Sequence, residues 1–187
     1  MKIPNNIKIV SFVPVEEPEL ALKYYQGHRE VLRQFNIDFI ADLSHWIFNK
    51  NVVCFCILND KNKMICGLRF QIKLDSLLPL ESALGDKSKM LKSLIAKKEK
   101  EGKIAEMCNL WVDRKYVKLG LPKVLSEYAI LEMKKTSDIV HLFNFYSTYT
   151  KELVESVGFQ QITDLENDGK FPFPTDDYIS FVGVQKF

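Results

Sequence analysis

Two apolar runs, NVVCFCIL (51–58) and KMICGLRFQIK (63–73), flank a polar stretch, Asn59-Asp60-Lys61-Asn62. Strand-like segments on either side of a short Asn/Asp turn read as an antiparallel hairpin, so the sheet must hold at least one antiparallel pair. From Ile104 the pattern changes. A strand, IAEMCNLWV (104–112), passes through the loop DRKYVKLGL into a helix that Pro122 starts, PKVLSEYAILEMKK, with Val124, Leu125, Tyr128, Ala129 and Leu131 as its apolar positions. The strand DIVHLFNFY (138–146) and a short helix, TKELVESV, closed by Gly158, come next. A strand-helix-strand order needs a crossover that lays its helix on a sheet face. Hairpin and crossover together predict an α/β (α+β) chain with a single mixed, mostly antiparallel sheet and helices on both faces.

The rest of the chain is consistent with one domain over residues 1–187. IKIVSFVPVE (6–15) reads as a strand. Pro18 opens a helical stretch to about Asn36, carried by Leu20, Tyr24, Val31 and Phe35, and Gly27 is expected to divide it in two. A shorter helix is expected around Asp42 to Asn49. LLPLESALGD reads as a loop with a helical turn, and SKMLKSLIAKKEKEGK (88–103) as a basic, solvent-facing helix closed by Gly102. These two form a helical insertion around 75–103. FQQI begins a further strand, and DDYISFVGVQKF is expected as a terminal strand on a sheet edge.

Several function classes are excluded. Lys+Arg 26 against Asp+Glu 24 leaves a net charge of +2, too balanced for a dedicated nucleic-acid binder. No apolar run approaches the ~20 residues of a membrane span, and MKIPNNIKIVSF lacks a signal-peptide core, so a cytoplasmic protein without a membrane partner is expected. Cys54, Cys56, Cys66 and Cys108 lie in strand-like runs with no CxxC pair, which favours buried thiols over a metal site.

The segment from 104 to 159 carries the chemistry. A strand that ends in a Gly-containing loop and feeds a helix N-terminus offers unpaired N–H groups and a favourable dipole to an anion. Here the loop is Arg114-Lys115-Tyr116-Val117-Lys118-Leu119-Gly120-Leu121-Pro122. With AEMCNLWVD before it, and DIVHLFNF, ELVESV and the Gly158-Phe159 pair after it, this stretch resembles the GNAT superfamily of CoA-dependent N-acyltransferases. The resemblance implies acetyl-CoA or another acyl-CoA as donor, a small-molecule or peptide amine as acceptor, and no metal. It places the phosphates on Val117, Lys118, Leu119, Gly120, Leu121 and Lys123, and the pantetheine and thioester along Leu110, Trp111 and Val112, with Ser147 as a further contact. Glu106 matches the general base and the Leu110 N–H the donor to the thioester carbonyl, which requires this strand to part from its neighbour. Val117 stands where the family has Arg or Gln, Pro122 where it has Gly or Ala, and Val154 where many members have a thiolate-protonating Tyr; Tyr149 is the candidate substitute.

A narrower resemblance joins Arg69, Leu77-Leu78-Pro79-Leu80-Glu81, Ala105-Glu106 and Asn109-Leu110 to acyl-homoserine-lactone synthases and N-acyl amino acid synthases. It implies a long-chain donor on acyl carrier protein, for which Lys87, Lys89, Lys92, Lys97, Lys98 and Lys100 supply the opposite charge. Arg69, with Arg29 and Arg33 beside His28, would meet an acidic acceptor. A GNAT-like binding module without catalysis is the alternative from another class.

Overall fold

The computed structural model describes residues 7–40 and 46–187. They fall into two compact units, one running to Phe70 and including Asn109–Leu131, the other formed by Gln71–Cys108 and Glu132–Phe187. Most of the helix expected at 42–49 lies outside the described residues; 46–48 form a turn.

In the first unit β1 (Lys8–Phe12) pairs antiparallel with β2 (Val52–Leu58), Val10 opposite Cys56, and β2 turns into β3 (Met64–Ile72). The turn is built by Asn59, whose N–H donates to the Lys63 carbonyl while its Oδ1 accepts from Lys61 N and Lys63 N at 3.0 and 2.9 Å. Asn62 takes the left-handed conformation (φ 56°) that closes it, a role asparagine tolerates well. The core of this unit gathers Phe12, Ala21, Tyr24, Trp46, Val52, Cys54, Cys56, Met64 and Trp111.

One helix, α1 (Pro18–Arg33), replaces the two expected around Gly27. The glycine is there for packing. A Cβ at Gly27 would lie 2.8 Å from Cζ2 of Trp111, and one at Gly67 on β3 would lie 2.6 Å from its Nε1, so the indole fills the space two missing side chains leave. This burial outweighs the ~1 kcal/mol that a mid-helix glycine costs.

β4 (Lys103–Val112) lies beside β3: Asp113 N donates to the Ile65 carbonyl in the first unit, and Lys73 N to the Ile104 carbonyl in the second. In the second unit β4 runs parallel to β5 (Ile139–Ser147) from Lys103 opposite Ile139 to Met107 opposite Asn144, where their ladder ends. β5 continues antiparallel to β8 (Ile179–Lys186) as far as Ser147 opposite Ser180. β6 (Gln160–Gln161) and β7 (Lys170–Pro172) pair with β8 in turn, giving the order β1-β2-β3-β4-β5-β8-β6 in a mixed, mostly antiparallel sheet. The C-terminal strand is therefore interior, where an edge was expected. Ser180 to Gly183 are buried without alternation, as a strand covered on both sides requires.

Leu78, Leu80, Leu84, Leu91, Ile95, Ile104, Phe143, Leu165, Phe171 and Val182 form the core of the second unit. They draw on α2 (Pro79–Leu84) and α3 (Lys89–Glu101), which buries Leu91 and Ile95 and turns its lysines outward. α4 begins at Leu121, one residue before Pro122, and runs to Thr136. Of the apolar positions read from its sequence, Leu125 and Ala129 are buried but Tyr128 and Leu131 are exposed; Leu121, Ile130 and Met133 are the other buried ones. α5 (Lys151–Ser156) closes on Gly158, in the left-handed region at φ 103°. No helix among the described residues is long and apolar enough to cross a membrane.

Gly27→Ala should destabilise the protein by about 1–3 kcal/mol, against the helix propensity of alanine, because the new methyl overpacks the indole. Urea unfolding measures it. In a Trp111→Leu background the same substitution should become neutral or stabilising.

Candidate active site

The loop after β4 is organised by its own side chains. Asp113 Oδ1 accepts from Lys115 N at 3.0 Å, its Oδ2 pairs with Lys63 Nζ at 2.8 Å, and a 3-10 turn spans Arg114–Leu119. The Tyr116 hydroxyl accepts from Asn59 Nδ2 at 3.2 Å, tying the loop to the hairpin turn. Gly120 follows at φ 70°, ψ 12°, a left-handed residue that turns the chain into α4, and its carbonyl accepts from Lys123 N and Val124 N. Arg114, Lys115 and Lys118 are exposed around this turn, and Lys123 sits in the first turn of α4, 3.9 Å from Glu127. The arrangement is a cationic loop at a helix N-terminus, suited to polyanionic phosphate. Val117, 54% exposed, adds no charge to it, and Pro122 occupies a first-turn position where a missing N–H is tolerated.

Upstream, Asn109 sits in β4 at φ 54°, left-handed in a strand. Two residues one turn apart on α1 hold it: the Tyr24 hydroxyl donates to its carbonyl at 2.8 Å, and its amide Nδ2 donates to His28 Nδ1 at 3.4 Å. Burial, and then the Arg69 charge, hold the His28 imidazole down to about 3, so it is neutral and able to accept. Arg69 is itself buried, its guanidinium 4.9 Å from the centre of the Trp46 ring. The expected basic cluster therefore divides. His28 and Arg69 are interior, whereas Arg29 and Arg33 lie near the surface and share Asp38 at 3.5 and 3.3 Å, with Glu30 also on Arg33.

The second unit places Glu106 inside rather than toward water. It is 1% exposed, and its Oε2 accepts from Leu80 N at 2.8 Å in the first turn of α2. Three more contacts fasten the same segment. Gln71 Nε2 donates to the Leu77 carbonyl, and Glu81 Oε2 accepts from both Leu78 N and Lys73 Nζ, all at 2.8 Å. The bonds to the Glu106 and Glu81 carboxylates are charge-assisted and therefore the strongest of the set, so they fix the position of this segment. The residues of the narrower motif, 77–81 and Glu106, are thus brought into direct contact.

Where the β4–β5 ladder stops, Asn144 Nδ2 donates to the Met107 carbonyl at 2.6 Å, supplying a side-chain bond at the point where ladder bonds end. Asn144 Oδ1 and the Tyr146 hydroxyl are both buried on the same face of β5, and neither has a partner among the described residues. Tyr146 stacks on Phe181, and burial, then the Glu155 charge, push its hydroxyl up to about 12. Tyr149, the expected proton donor, is 79% exposed and lies against the Tyr178 ring, while Val154 is buried. Ser147 ends β5, its carbonyl accepting from Thr150 Oγ1 at 3.2 Å. The polar pair on β5 was missed from the sequence; its signal was two polar residues at strand spacing within the apolar run HLFNFY.

The four cysteines are buried, as expected. Burial pushes Cys56 up to about 12 and, with Cys56 beside it, raises Cys66 as well, so neither is a ready nucleophile. His141 is buried with its Nε2 2.7 Å from Glu101 Oε2.

No protein-family model matches the sequence, and no curated protein matches it either. Solved structures do. FeeM, an N-acyl amino acid synthase from uncultured soil microbes, matches with a TM-score of 0.63 at 14% identity, over 96% of this chain and 90% of that one. An acyl-CoA N-acyltransferase from Pseudomonas aeruginosa matches at 0.67 and 9% identity, over 96% and 99%. The GNAT family N-acetyltransferase YhbS from Escherichia coli, solved in complex with CoA, matches at 0.58 and 15% identity, over 100% and 84%. The fold is that of the GNAT N-acyltransferases.

The depressed His28 has a pH signature. An unfolded chain takes up a proton near pH 6.5 that the folded one refuses until about 3, so stability is complete above 6.5 and falls as pH drops through that window. The slope from this group is at most about 1.4 kcal/mol per pH unit. Urea unfolding between pH 7 and 4 should show a shallower loss for His28→Gln than for the parent chain; parallel curves would contradict the assignment.

Proposed function

We propose that this chain is an N-acyltransferase that moves an acyl group from acyl-CoA to a primary amine. The observation that carries the reading is in β4: the ladder with β5 ends at Met107, left-handed Asn109 follows, and the buried carboxylate of Glu106 stands just before. A strand whose pairing stops has backbone amides to offer a ligand, and the fold it shares with YhbS, which was solved with CoA, supports acyl-CoA as that ligand.

The residues take these roles. Lys118, Gly120 and Lys123 hold phosphate at the start of α4, and the backbone of Leu110, Trp111 and Val112 lines the pantetheine and thioester. The amine nitrogen attacks the thioester carbonyl, forming the C–N bond, and the Leu110 N–H donates to the developing oxyanion. Glu106, fixed by Leu80 N, takes the proton of the attacking nitrogen. The C–S bond then breaks and the thiolate departs; with a thiol pKa of about 8.5 it does so without a dedicated acid, in keeping with the exposure of Tyr149. Arg69, a buried cation, would meet an acidic acceptor. The contact between Leu80 and Glu106 within the narrower motif favours the N-acyl amino acid synthase kind of reaction, for which acyl carrier protein is the alternative donor.

One set of observations favours a binding module instead. Val117 and Val154 replace the residues expected to grip phosphate and protonate the thiolate, and the tyrosine nearest to hand faces solvent. A CoA-dependent rise in melting temperature with no turnover on any primary amine would select that reading.

Glu106→Gln keeps an acceptor for Leu80 N but removes the base. It should lower kcat/KM by about a hundredfold or more with CoA affinity retained, as measured by steady-state kinetics and calorimetry. Unchanged kinetics would clear Glu106 of the role, and the absence of calorimetric binding by either acetyl-CoA or a long-chain acyl-CoA would overturn the transferase reading.

A further inference from the structure

Where β4 and β5 part, buried oxygen acceptors stand on opposite faces of the sheet. At the end of their ladder Glu106 is opposite Phe143 and Met107 is opposite Asn144. Side chains alternate along a strand, so Glu106 and Asn144 project to different sides. Glu106 lies with Leu80 and Phe143, on the side of the second unit's core. Asn144 lies on the other side and is 5% exposed. The roles assigned above leave it out.

The Asn144 amide has one orientation open to it. Its nitrogen donates to the Met107 carbonyl at 2.6 Å, and a carbonyl only accepts, so the amide oxygen takes the other position. That oxygen, Oδ1, is shielded from solvent and has no donor among the described residues. The Tyr146 hydroxyl, two residues along the same face, does not supply one. Its ring packs over Gly183, the residue opposite Asn144, where a Cβ would lie 2.8 Å from Cε1. A buried acceptor costs stability when no donor meets it, so one fixed in place at the end of a ladder suits a donor that arrives with a ligand.

A primary amine brings two such donors on one atom. On the footing of the transferase reading, we propose that Asn144 binds the acceptor amine: Oδ1 takes one N–H from one face of the sheet, and the Glu106 carboxylate takes the other from the opposite face. The nitrogen lone pair is then left for the thioester carbon. As it forms the C–N bond the nitrogen becomes cationic, the proton facing Glu106 passes to the carboxylate, and the C–S pair leaves on sulfur. The second N–H stays on the product amide, still bonded to Oδ1. An uncharged oxygen suits this place, because a second carboxylate would hold the amine as an ammonium with no lone pair to attack with. The arrangement also selects primary amines. A secondary amine has a single N–H, so one of the two buried acceptors goes unmet in the transition state.

Steady-state kinetics on the full chain with acetyl-CoA and a matched pair, methylamine and dimethylamine, tests it. The parent should favour methylamine in kcat/KM. Asn144→Leu, which keeps the size of the side chain but has neither donor nor acceptor, should shrink that preference about tenfold, the worth of one buried hydrogen bond. A variant that is merely less stable lowers both rates together and leaves their ratio alone. Asn144→Asp offers an acceptor oxygen in either protonation state and should keep the ratio within about threefold of the parent. If Asn144→Leu does not fold, NMR of the parent replaces it: the Asn144 side-chain amide signals, identified by their loss in Asn144→Asp, should shift when methylamine is added to the CoA-bound chain. An unchanged ratio in Asn144→Leu, or amide signals that stay in place, would overturn the inference and leave the transferase reading standing. No turnover of either amine by the parent would instead select the binding-module reading and overturn both.

Discussion

The left-handed turn of Asn109 within β4 is the constraint on which the rest of this protein depends. A side chain in that region costs about 1–2 kcal/mol for most residues, and asparagine is among those that bear it best. The Tyr24 hydroxyl on its carbonyl offsets much of this, since a hydrogen bond contributes about 1 kcal/mol, and His28 steadies its amide. A regular strand would carry the β4–β5 ladder onward; here it stops two residues earlier, and Asn144 supplies a side-chain donor to the last carbonyl. Local strain is thus held by side chains of α1, which explains why that helix spends a tyrosine and a histidine on its buried face.

Charge inside the protein is handled by position rather than by neutralising everything. Glu81 and Lys73 pair at 2.8 Å with side chains only 8% and 11% exposed. Such pairs seldom add much net stability, because desolvation consumes the Coulombic gain, but they fix geometry. Here they fix the turn that presents Leu80 N to Glu106. The same principle acts at Arg69, whose charge lies over an aromatic face and adds to the burial that holds the neighbouring imidazole neutral.

Much of the architecture was legible because it rests on local chemistry. The hairpin follows from Asn59 and Asn62, whose side-chain and left-handed preferences act within four residues. The strand-loop-helix run from Ile104 follows from Gly120 and Gly158, two of the places where the backbone turns left-handed. Glu106 and the 117–123 loop were singled out through the resemblance of their segment to the GNAT superfamily. What stayed hidden depends on contacts distant in sequence. Gly27 looks like a helix breaker until Trp111, more than eighty residues away, is laid against it. FVGV looks like an edge until strands flank it on both sides, and His28 looks like part of a basic surface until Arg69 is buried beside it. Tyr149 was chosen for proximity in sequence and proves exposed, and Asn144 with Tyr146 became visible only when Asn144 Oδ1 and the Tyr146 hydroxyl proved buried without a partner among the described residues.

The central claim is that β4 beyond the end of its ladder, together with the loop that follows, receives acyl-CoA. Backbone amide NMR of the full chain, titrated with CoA, tests this most directly. The account predicts that the resonances of Leu110, Trp111, Val112, Gly120 and Lys123 move together and saturate at one affinity. Saturating CoA that leaves those amides in place, whatever else it shifts, would contradict it.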